Sequence, residues 1–406
     1  MQTDGETACQ RFQSGVNSLS DEKQNKGEII LKLLHTSDWH LGRALSNNQT
    51  YIQDQRFFFD RLYSIIREEK IDAVLVAGDV YDSGISNAEA INLYNEVVTE
   101  ICLRAGVPMI IIAGNHDSGP RLASCRDLLK GAGLYLSGRL SADLSPVVFG
   151  NTAIYSLPYF SKDEAAAIFP EKKDEITSAA TAMKAVCDII RAGMDKTKKN
   201  ILVSHSLVQN VELSDSDHSA QIGTASAVSK DVFDGFDYVA LGHIHKPQSV
   251  SDKIRYSGSP VKYSFGKEEN QEKGVVIIDT EDMSQKFVQV GELHGRRTVK
   301  GTYEEIISMK NLENCYLSIV VTDRTNAASL YNEMKERFPF MLELKGREYT
   351  ISGAGTTVSA LDIEKLDDTA ILKSFMKDIA GMEPDEEQLE LFREAVEASD
   401  REVEEN

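Results

Sequence analysis

Five times between residues 33 and 245 a short apolar run ends and metal-capable side chains follow at once. The segments are LLHTSDWHLGR (33–43), AVLVAGDVYD (73–82), MIIIAGNHDS (109–118), ILVSHS (201–206) and YVALGHIH (238–245). Apolar runs this short, alternating with longer amphipathic stretches, are the mark of an α/β domain whose strands are covered by helices. In open α/β sheets ligands gather beyond the carboxyl ends of the strands, so the five polar segments can converge on a single site.

This texture holds from Ile29 to about Thr280, with strands expected at Ile30–Leu34, Ala73–Ala77, Met109–Ala113, Thr152–Leu157, Ile201–Val203, Tyr238–Leu241 and Val275–Asp279. Helices are expected over about 50–69, 86–105 and 173–192. The second opens at Ser86 as N-cap, carries Ile91, Tyr94, Val97, Val98 and Ile101 at helical spacing, and stops before Gly106. The body is therefore expected over 29–285. Residues 1–28 are polar and aperiodic; they are expected to be a disordered extension, since they bury too little to offset chain ordering. Within 290–360, Cys315–Thr322 and Phe340–Leu344 read as strands around a helix at Ala327–Arg337, a small α+β unit.

Residues 361–406 hold 16 acidic and 5 basic side chains, net −11 of the chain's −20. Ile371, Leu372, Phe375 and Ile379, then Leu389, Phe392 and Val396, recur at helical spacing there, so a helical segment able to dock is expected. A net charge of −20 disfavours a nucleic-acid partner unless attraction is local. The 41% hydrophobic and 27% charged fractions exclude a wholly disordered or fibrous chain. No apolar window long enough to span a membrane and no basic-then-apolar leader are present, so a cytoplasmic protein is expected. Cys9, Cys102, Cys125, Cys187 and Cys315 are widely spaced without a C-x-x-C pair, which points to reduced thiols.

Asp38 and His40 are one residue apart, and in an extended segment such positions point to the same side, where both could reach one cation. His243 and His245 share that spacing, with Gly242 allowing close backbone approach. Asp79 follows Gly78, and its two oxygens could bridge two ions. Asn115 offers an amide oxygen beside His116, and His205 another nitrogen. Each has an ordinary alternative: a hydrogen-bonded structural histidine at 205, a capping aspartate at 38, a turn asparagine at 115. The repetition of one pattern at five strand ends favours the site. His35, inside a strand, and Trp39 read as packing residues, and His218 and His294 receive no role.

In that order, D-x-H, G-D, G-N-H-D, a lone His and G-H-x-H resemble the calcineurin-like metallophosphoesterases. The closer resemblance is to their SbcD-type nuclease subunits of double-strand-break repair, carried by HTSDWHLGR (35–43), VAGDVYD (76–82), AGNHDS (113–118), LGHIHKPQ (241–248) and YSGSP (256–260). It implies an α/β (α+β) four-layered β-sandwich flanked by helices, a small α+β capping domain and a C-terminal helical segment. It also implies two divalent metal ions, manganese foremost. Asp38, His40, Asp79 and His245 would hold one; Asp79, Asn115, His205 and His243 would hold the other. His116 would contact the phosphate or protonate the leaving 3′-oxygen. Asp117 would orient the His116 ring or serve as a turn residue. Asp82 stands where some relatives carry a second catalytic histidine, as acid, base or support. Arg43 and Lys246 would assist DNA binding.

The implied activity is that of a DNA nuclease, exonucleolytic on duplex ends, 3′ to 5′, and endonucleolytic on single strands and hairpins. The alternative is a phosphoesterase for a small cyclic nucleotide or a phosphoprotein. Implied partners are DNA, an SbcC-type coiled-coil ATPase engaged through helices within 367–398, and a second copy of the chain. For the homodimer the helices near 50–69 and 86–105 are candidates, since Phe57, Phe58 and Phe59 crowd one segment; packing in the core is the other reading of them.

Overall fold

The computed structural model describes residues 30–46, 49–217, 227–324 and 328–346, with 384–385 and 388–392. The chain divides into two units, 1–346 and 347–406. The expectations for 1–28, for His218 and for the apolar stripe from Ile371 to Ile379 lie outside the described residues. Of the second stripe, residues 388–392 are helical, with the Asp385 carboxylate accepting from the Gln388 N–H at 2.9 Å.

The first unit contains β1 (Lys32–Thr36), a short hairpin of β2 (Ala44–Ser46) and β3 (Gln49–Thr50), β4 (Ala73–Ala77), β5 (Met109–Ile112) and β6 (Leu134–Ser137). Next come β7 (Val147–Phe149), β8 (Thr152–Leu157), β9 (Lys199–His205), β10 (Tyr238–Gly242), β11 (Gln248–Ser249) and β12 (Ile254–Tyr256), followed by β13 (Gly274–Asp279) and β14 (Gln285–Gln289). Two six-stranded sheets result, ordered β14-β13-β1-β4-β5-β6 and β11-β12-β10-β9-β8-β7. In each, four strands run parallel: β1, β4, β5 and β6 in one, β12, β10, β9 and β8 in the other.

Period-two alternation assigns the central strands two buried faces. Leu33, Leu75, Ala77, Ile110 and Ile112 of the first sheet meet Ile154, Ile201, Val203, Tyr238 and Ala240 of the second. The intervening Leu34, Val74, Val76 and Ile111 face outward, against Phe58, Phe59, Leu62 and Ile66 of helix α1 (Ile52–Glu69) and Leu93 and Val97 of α2 (Ala88–Val98). On the opposite side Leu202, Val239 and Leu241 pack on Met183, Val186 and Ile190 of α3 (Ala179–Gly193). Helix, sheet, sheet and helix give the expected four layers.

Local differences have local causes. The N-cap of α2 is Asn87, not Ser86: its side chain accepts from the Ala90 N–H at 2.8 Å, while Ser86 Oγ donates to Ser83 O. The expected helix over 86–105 changes to a π-helical turn at Thr99–Arg104 before Gly106. The expected helix over 173–192 begins only at Ala179, because Ser178 and Thr181 form a reciprocal capping box. Phe58 and Phe59 are core residues, so the self-association reading of that crowded segment is left with Phe57, which is half-buried. Cys102, Cys125, Cys187 and Cys315 are free thiols. Among the described residues no helix is long and apolar enough to cross a membrane.

A third, parallel sheet follows the sandwich: β15 (Gly295–Gly301), β16 (Cys315–Val321) and β17 (Met341–Lys345), with crossover helices α4 (Tyr303–Ser308) and α5 (Ala328–Arg337). It has its own core of Ile306, Leu317, Ile319, Leu330, Met334 and Phe338. It seats on the sandwich through Tyr51, Tyr263 and Tyr316, and through Asp54 of α1, which accepts from the Tyr316 hydroxyl at 2.6 Å and pairs with His294 at 3.1 Å. His294, unassigned from sequence, is thus part of this seam.

His35 points between the sheets. Its Nε2 lies 3.1 Å from Leu241 O, which only accepts, so Nδ1 accepts from the Tyr238 hydroxyl at 3.0 Å. Burial pushes the ring down to about 3, so it stays neutral. His35→Ala should leave both partners unsatisfied and lower the unfolding free energy by about 2 kcal/mol. Urea denaturation reads this directly; an unmoved midpoint would mean that the ring does not help join the sheets.

Candidate metal centre

Each candidate ligand leaves its strand at the same end. Asp38 and His40 follow β1, Asp79 follows β4, Asn115 follows β5, His205 ends β9, and His243 and His245 follow β10. The parallel strands of both sheets deliver these ends to one place. Asp79 is the pivot: its Oδ2 lies 3.6 Å from His40 Nε2 and 3.4 Å from His205 Nε2, while Oδ1 accepts from the His116 N–H at 3.0 Å. On one side His40 Nε2 and His245 Nε2 are 3.0 Å apart, with the Asp38 carboxylate in the same cluster. On the other, Asn115 Oδ1 is 3.0 Å from His205 Nε2 and 2.9 Å from His243 Nδ1. The carboxylates and rings fall in three overlapping groups, Asp38–His40–His245, His40–Asp79–His116 and Asp38–Asp79–His205; the family resemblance divides the seven expected ligands into two donor sets that share Asp79.

Hydrogen bonds on the far side of each ring decide what faces inward. His205 Nδ1 donates to Ala77 O at 2.8 Å. His245 Nδ1 donates to Ser216 Oγ at 2.6 Å, since that hydroxyl itself donates to Glu268 Oε2 at 2.8 Å. His40 Nδ1 lies 3.3 Å from Asp82 Oδ1 without the alignment of a hydrogen bond. Nε2 of all three rings is left to point at the cluster, as metal-binding histidines are held. Ring nitrogens 3.0 Å apart repel through their lone pairs unless a proton or cation lies between them. The donors are nitrogen and oxygen, with no thiol joining the cluster among the described residues, and they suit a divalent metal.

The backbone is bent to bring about this convergence. Asp38 (φ 52°), His40 (φ 44°), Asp79 (φ 49°) and His243 (φ 99°) all lie at positive φ, at a cost of about 1–3 kcal/mol each. The same-side placement of Asp38 and His40 therefore comes from two left-handed kinks and not from the extended segment expected from their spacing.

Residues 31–247 match the calcineurin-like phosphoesterase family. The SbcD chain of the SbcCD nuclease from Staphylococcus saprophyticus is 32% identical over 360 residues, covering 86% of this chain and 94% of its own. The chain belongs to the calcineurin-like phosphoesterases, in the SbcD group. Two solved structures overlap it at low similarity. TT1561 of Thermus thermophilus has a TM-score of 0.37 and 11% identity, over 64% of this chain and 100% of that one. GAP50, described as the anchor in the inner membrane complex of Plasmodium, has a TM-score of 0.39 and 13% identity, over 80% and 99%.

The phosphoesterase site is closed on one side and open on the other. Asp38, His40, Asp79, His205 and His245 are buried, whereas Asn115, His116 and His243 are part-exposed. Burial lowers His40 and His245, and burial with the nearby His205 charge takes His243 down to about 3, so these rings stay in the neutral form that donates to a cation. His205 behaves oppositely: burial disfavours its charge, but the Asp79 carboxylate and its hydrogen bond, with Asp38, raise it to about 9. Burial takes Asp38 up to about 7, and Asp79 is held well below its ordinary range, His205 outweighing the burial.

His116 Nδ1 donates to Asp82 O at 2.8 Å, so its ring is oriented by that carbonyl. Asp117 does not touch the ring. Its carboxylate accepts from the N–H groups of Val80, Tyr81 and Gly114, tying the loop after β4 to the loop after β5, so its role here is that of a loop-fastening residue. The Asp82 side chain faces His40 and Arg43. Arg43 also lies 4.7 Å over the Tyr263 ring, and Lys246 pairs with Glu212, so both expected DNA-binding cations have partners within the chain.

Several supporting residues carried no signal in the sequence. Gln55 on α1 donates to Trp39 O and His40 O at 3.0 and 2.9 Å, and the Tyr263 hydroxyl donates to Trp39 O at 2.6 Å. Ser37 Oγ donates to Asp38 Oδ2 at 2.5 Å, and Asp217 accepts from the His245 N–H at 3.0 Å. Behind Ser216, Glu268 forms a buried pair with Lys273 at 2.6 Å, and Lys273 also donates to His245 O at 2.8 Å. Trp39 is fully buried, edge-on to Phe59, as a packing residue.

The close approach expected at Gly242 is real: a Cβ there would lie 1.9 Å from Ala77 O and 2.9 Å from His205 Nδ1. Gly242→Ala should therefore force the two sheets apart at the site, costing about 2 kcal/mol of stability and most of the bound metal. Thermal unfolding and elemental analysis of the purified variant measure both, and retention of full metal content would show that the close approach is not required.

Proposed function

We propose that the chain is the nuclease subunit of a DNA repair complex, hydrolysing phosphodiesters as an exonuclease on duplex ends, 3′ to 5′, and as an endonuclease on single strands and hairpins. The observation that carries this reading is the pair of donor sets sharing Asp79, open toward Asn115, His116 and His243. The staphylococcal relative, a nuclease by name, supports the choice of a nucleic acid as substrate. Asp38, His40, Asp79 and His245 would hold one divalent ion, and Asp79, Asn115, His205 and His243 the other, manganese in this reading. When bound, such a pair supplies Lewis-acid polarisation of the phosphoryl group and a water ionised near neutral pH. Against the two aspartates the ions leave about +2 at the site, enough to attract a phosphodiester to a chain of net −20.

His116 faces the opening with Nδ1–H committed to Asp82 O, which leaves Nε2 as the nitrogen able to contact a phosphate oxygen or pass a proton to the leaving 3′-oxygen. Asp82 acts as a positioning residue, through its carbonyl for His116 and its carboxylate for His40. Arg43 and Lys246 would contact DNA phosphates in exchange for their partners Asp82 and Glu212.

For partners, the reading takes an SbcC-type coiled-coil ATPase, bound through the helical segment within 367–398, and a second copy of the chain. The helical turn at 388–392 supports the first. Exposed Ile91 on α2 and half-buried Phe57 on α1 support the second. The capping role of the sheet β15–β17 belongs to the same reading.

His116→Ala should reduce DNA cleavage at least about a hundred-fold, the span of a lost general acid, with metal content near wild type. Loss of metal as well would move His116 among the ligands, a placement its proximity to His40 and Asp79 permits. Deleting 361–406 should abolish co-elution with the ATPase while manganese-dependent cleavage by the nuclease chain alone persists; unchanged partner affinity would refute the docking assignment.

A further inference from the structure

The rim that carries the metal centre continues past Asn115 onto the edges of both sheets. The Tyr159 N–H donates to Ala113 O at 2.9 Å, and the Ala113 N–H donates to Ser137 O at 2.9 Å. The carboxyl ends of β8, β5 and β6 are thereby stitched into a row. Tyr159 is nonetheless 47% exposed, and its ring stands at 83° to that of His205, with centroids 6.4 Å apart. An aromatic face left in water beside a metal-facing histidine is a surface on which another ring can stack.

Ser137, at the end of that row, lines a cleft of about 410 Å³ between β6 and the pair β7–β8, which Arg126, Lys130, Arg139, Asp143 and Ser156 also line. Lys130 and Arg126 share the Asp127 carboxylate, at 3.0 and 3.9 Å, while Arg139 makes no ion pair among the described residues. The loop bearing Arg139 also touches the segment that follows His116. Gly119 and Gly138 pack backbone against backbone, a Cβ on Gly119 falling 1.8 Å from Gly138 O, so the loop bearing Arg139 is fixed to the loop bearing Asn115 and His116. In a chain of net −20, the three cations here outnumber Asp127 and Asp143, and Arg139 is the one without an ion pair among the described residues.

We infer that Tyr159 and this cleft form a nucleotide subsite: a base flanking the scissile phosphate stacks on the Tyr159 ring, and the next phosphates of that strand enter the cleft toward Arg139. The inference rests on the nuclease reading above and extends it to a strand path. An aromatic platform followed by a basic groove is the arrangement that holds single-stranded nucleic acid without reading its sequence.

The test measures manganese-supported cleavage of an end-labelled single-stranded oligonucleotide beside turnover of a small phosphodiester that lacks a nucleobase. Tyr159→Ala is expected to lower the ratio of the two kcat/KM values about ten-fold, mainly through KM for the oligonucleotide, and Tyr159→Phe to stay within about two-fold of wild type. Arg126→Gln with Arg139→Gln is expected to flatten the slope of log affinity against log salt by about 1.4, for two phosphate contacts on a single strand. If wild type cuts the oligonucleotide but the ratio and the slope do not move in these variants, the subsite is refuted and the nuclease reading stands. If wild type turns over only the small ester, the nuclease reading falls and the subsite with it.

Discussion

One carboxylate oxygen, Asp79 Oδ2, stands between two sets of donors in a pocket from which water is largely excluded. Taking a carboxylate out of water costs several kcal/mol unless charge and hydrogen bonds replace the lost hydration. Here Oδ1 is satisfied by the His116 N–H, and Oδ2 by whatever positive charge lies between the sets. The neighbouring Asp38 adds a second buried carboxylate, anchored by the His243 N–H at 2.9 Å and by Ser37. Two carboxylates and four imidazoles in one pocket are held together against their own repulsion, and the remainder of the fold can be understood as the means of doing so.

The means is the facing of two parallel sheets. A parallel strand ends where its neighbours end, so two such sheets stacked face to face present five strand ends to one rim. Stacking alone would leave the sheets about 10 Å apart. Gly242 and Gly78 close that gap locally: a Cβ on Gly242 would fall 1.9 Å from Ala77 O, and one on Gly78 2.4 Å from His205 Nδ1. Left-handed backbone at Asp38, His40, Asp79 and His243 then turns the side chains inward. Such strain survives only where packing over-determines it, and the helices on both outer faces supply that packing.

Much of this could be read from residue order alone, and the reason is the burial itself. Strands covered on both faces have to be apolar throughout, so β4, β5 and β10 are visible as unbroken runs with chemistry at their ends. The strands without such a signature, among them β14 (QKFVQ) and β15 (GRRTVKG), lie at sheet edges where one face meets water and charge interrupts the pattern. The candidate ligands were legible because their residue types recur together at five strand ends. Ser216, Asp217, Glu268 and Lys273 were not, because a serine or a glutamate in a polar segment looks the same whether it faces solvent or the back of His245. The left-handed kinks were hidden for a related reason: no glycine marks Asp38 or His40, and only the fold imposes that conformation.

Those unmarked residues also tie the third sheet to the chemistry. Asp54 and Gln55 are consecutive on α1; the first accepts from Tyr316 of β16, the second donates to the carbonyls of Trp39 and His40. Glu268 and Glu269 repeat the device: Glu268 braces His245 through Ser216, while Glu269 accepts from the N–H and hydroxyl of Thr298 on β15. Both braces reach the donor set of His40 and His245, while the rings of the other set, His205 and His243, meet Ala77 O, Asn115 and each other. The two halves of the centre therefore differ in what supports them, one by contacts that lead to the third sheet and the other by the sandwich. Because Asp79 touches both halves and Asp38 accepts from the His243 N–H, a displacement of the third sheet would act first on the geometry at His40 and His245 and reach the second half through those two carboxylates.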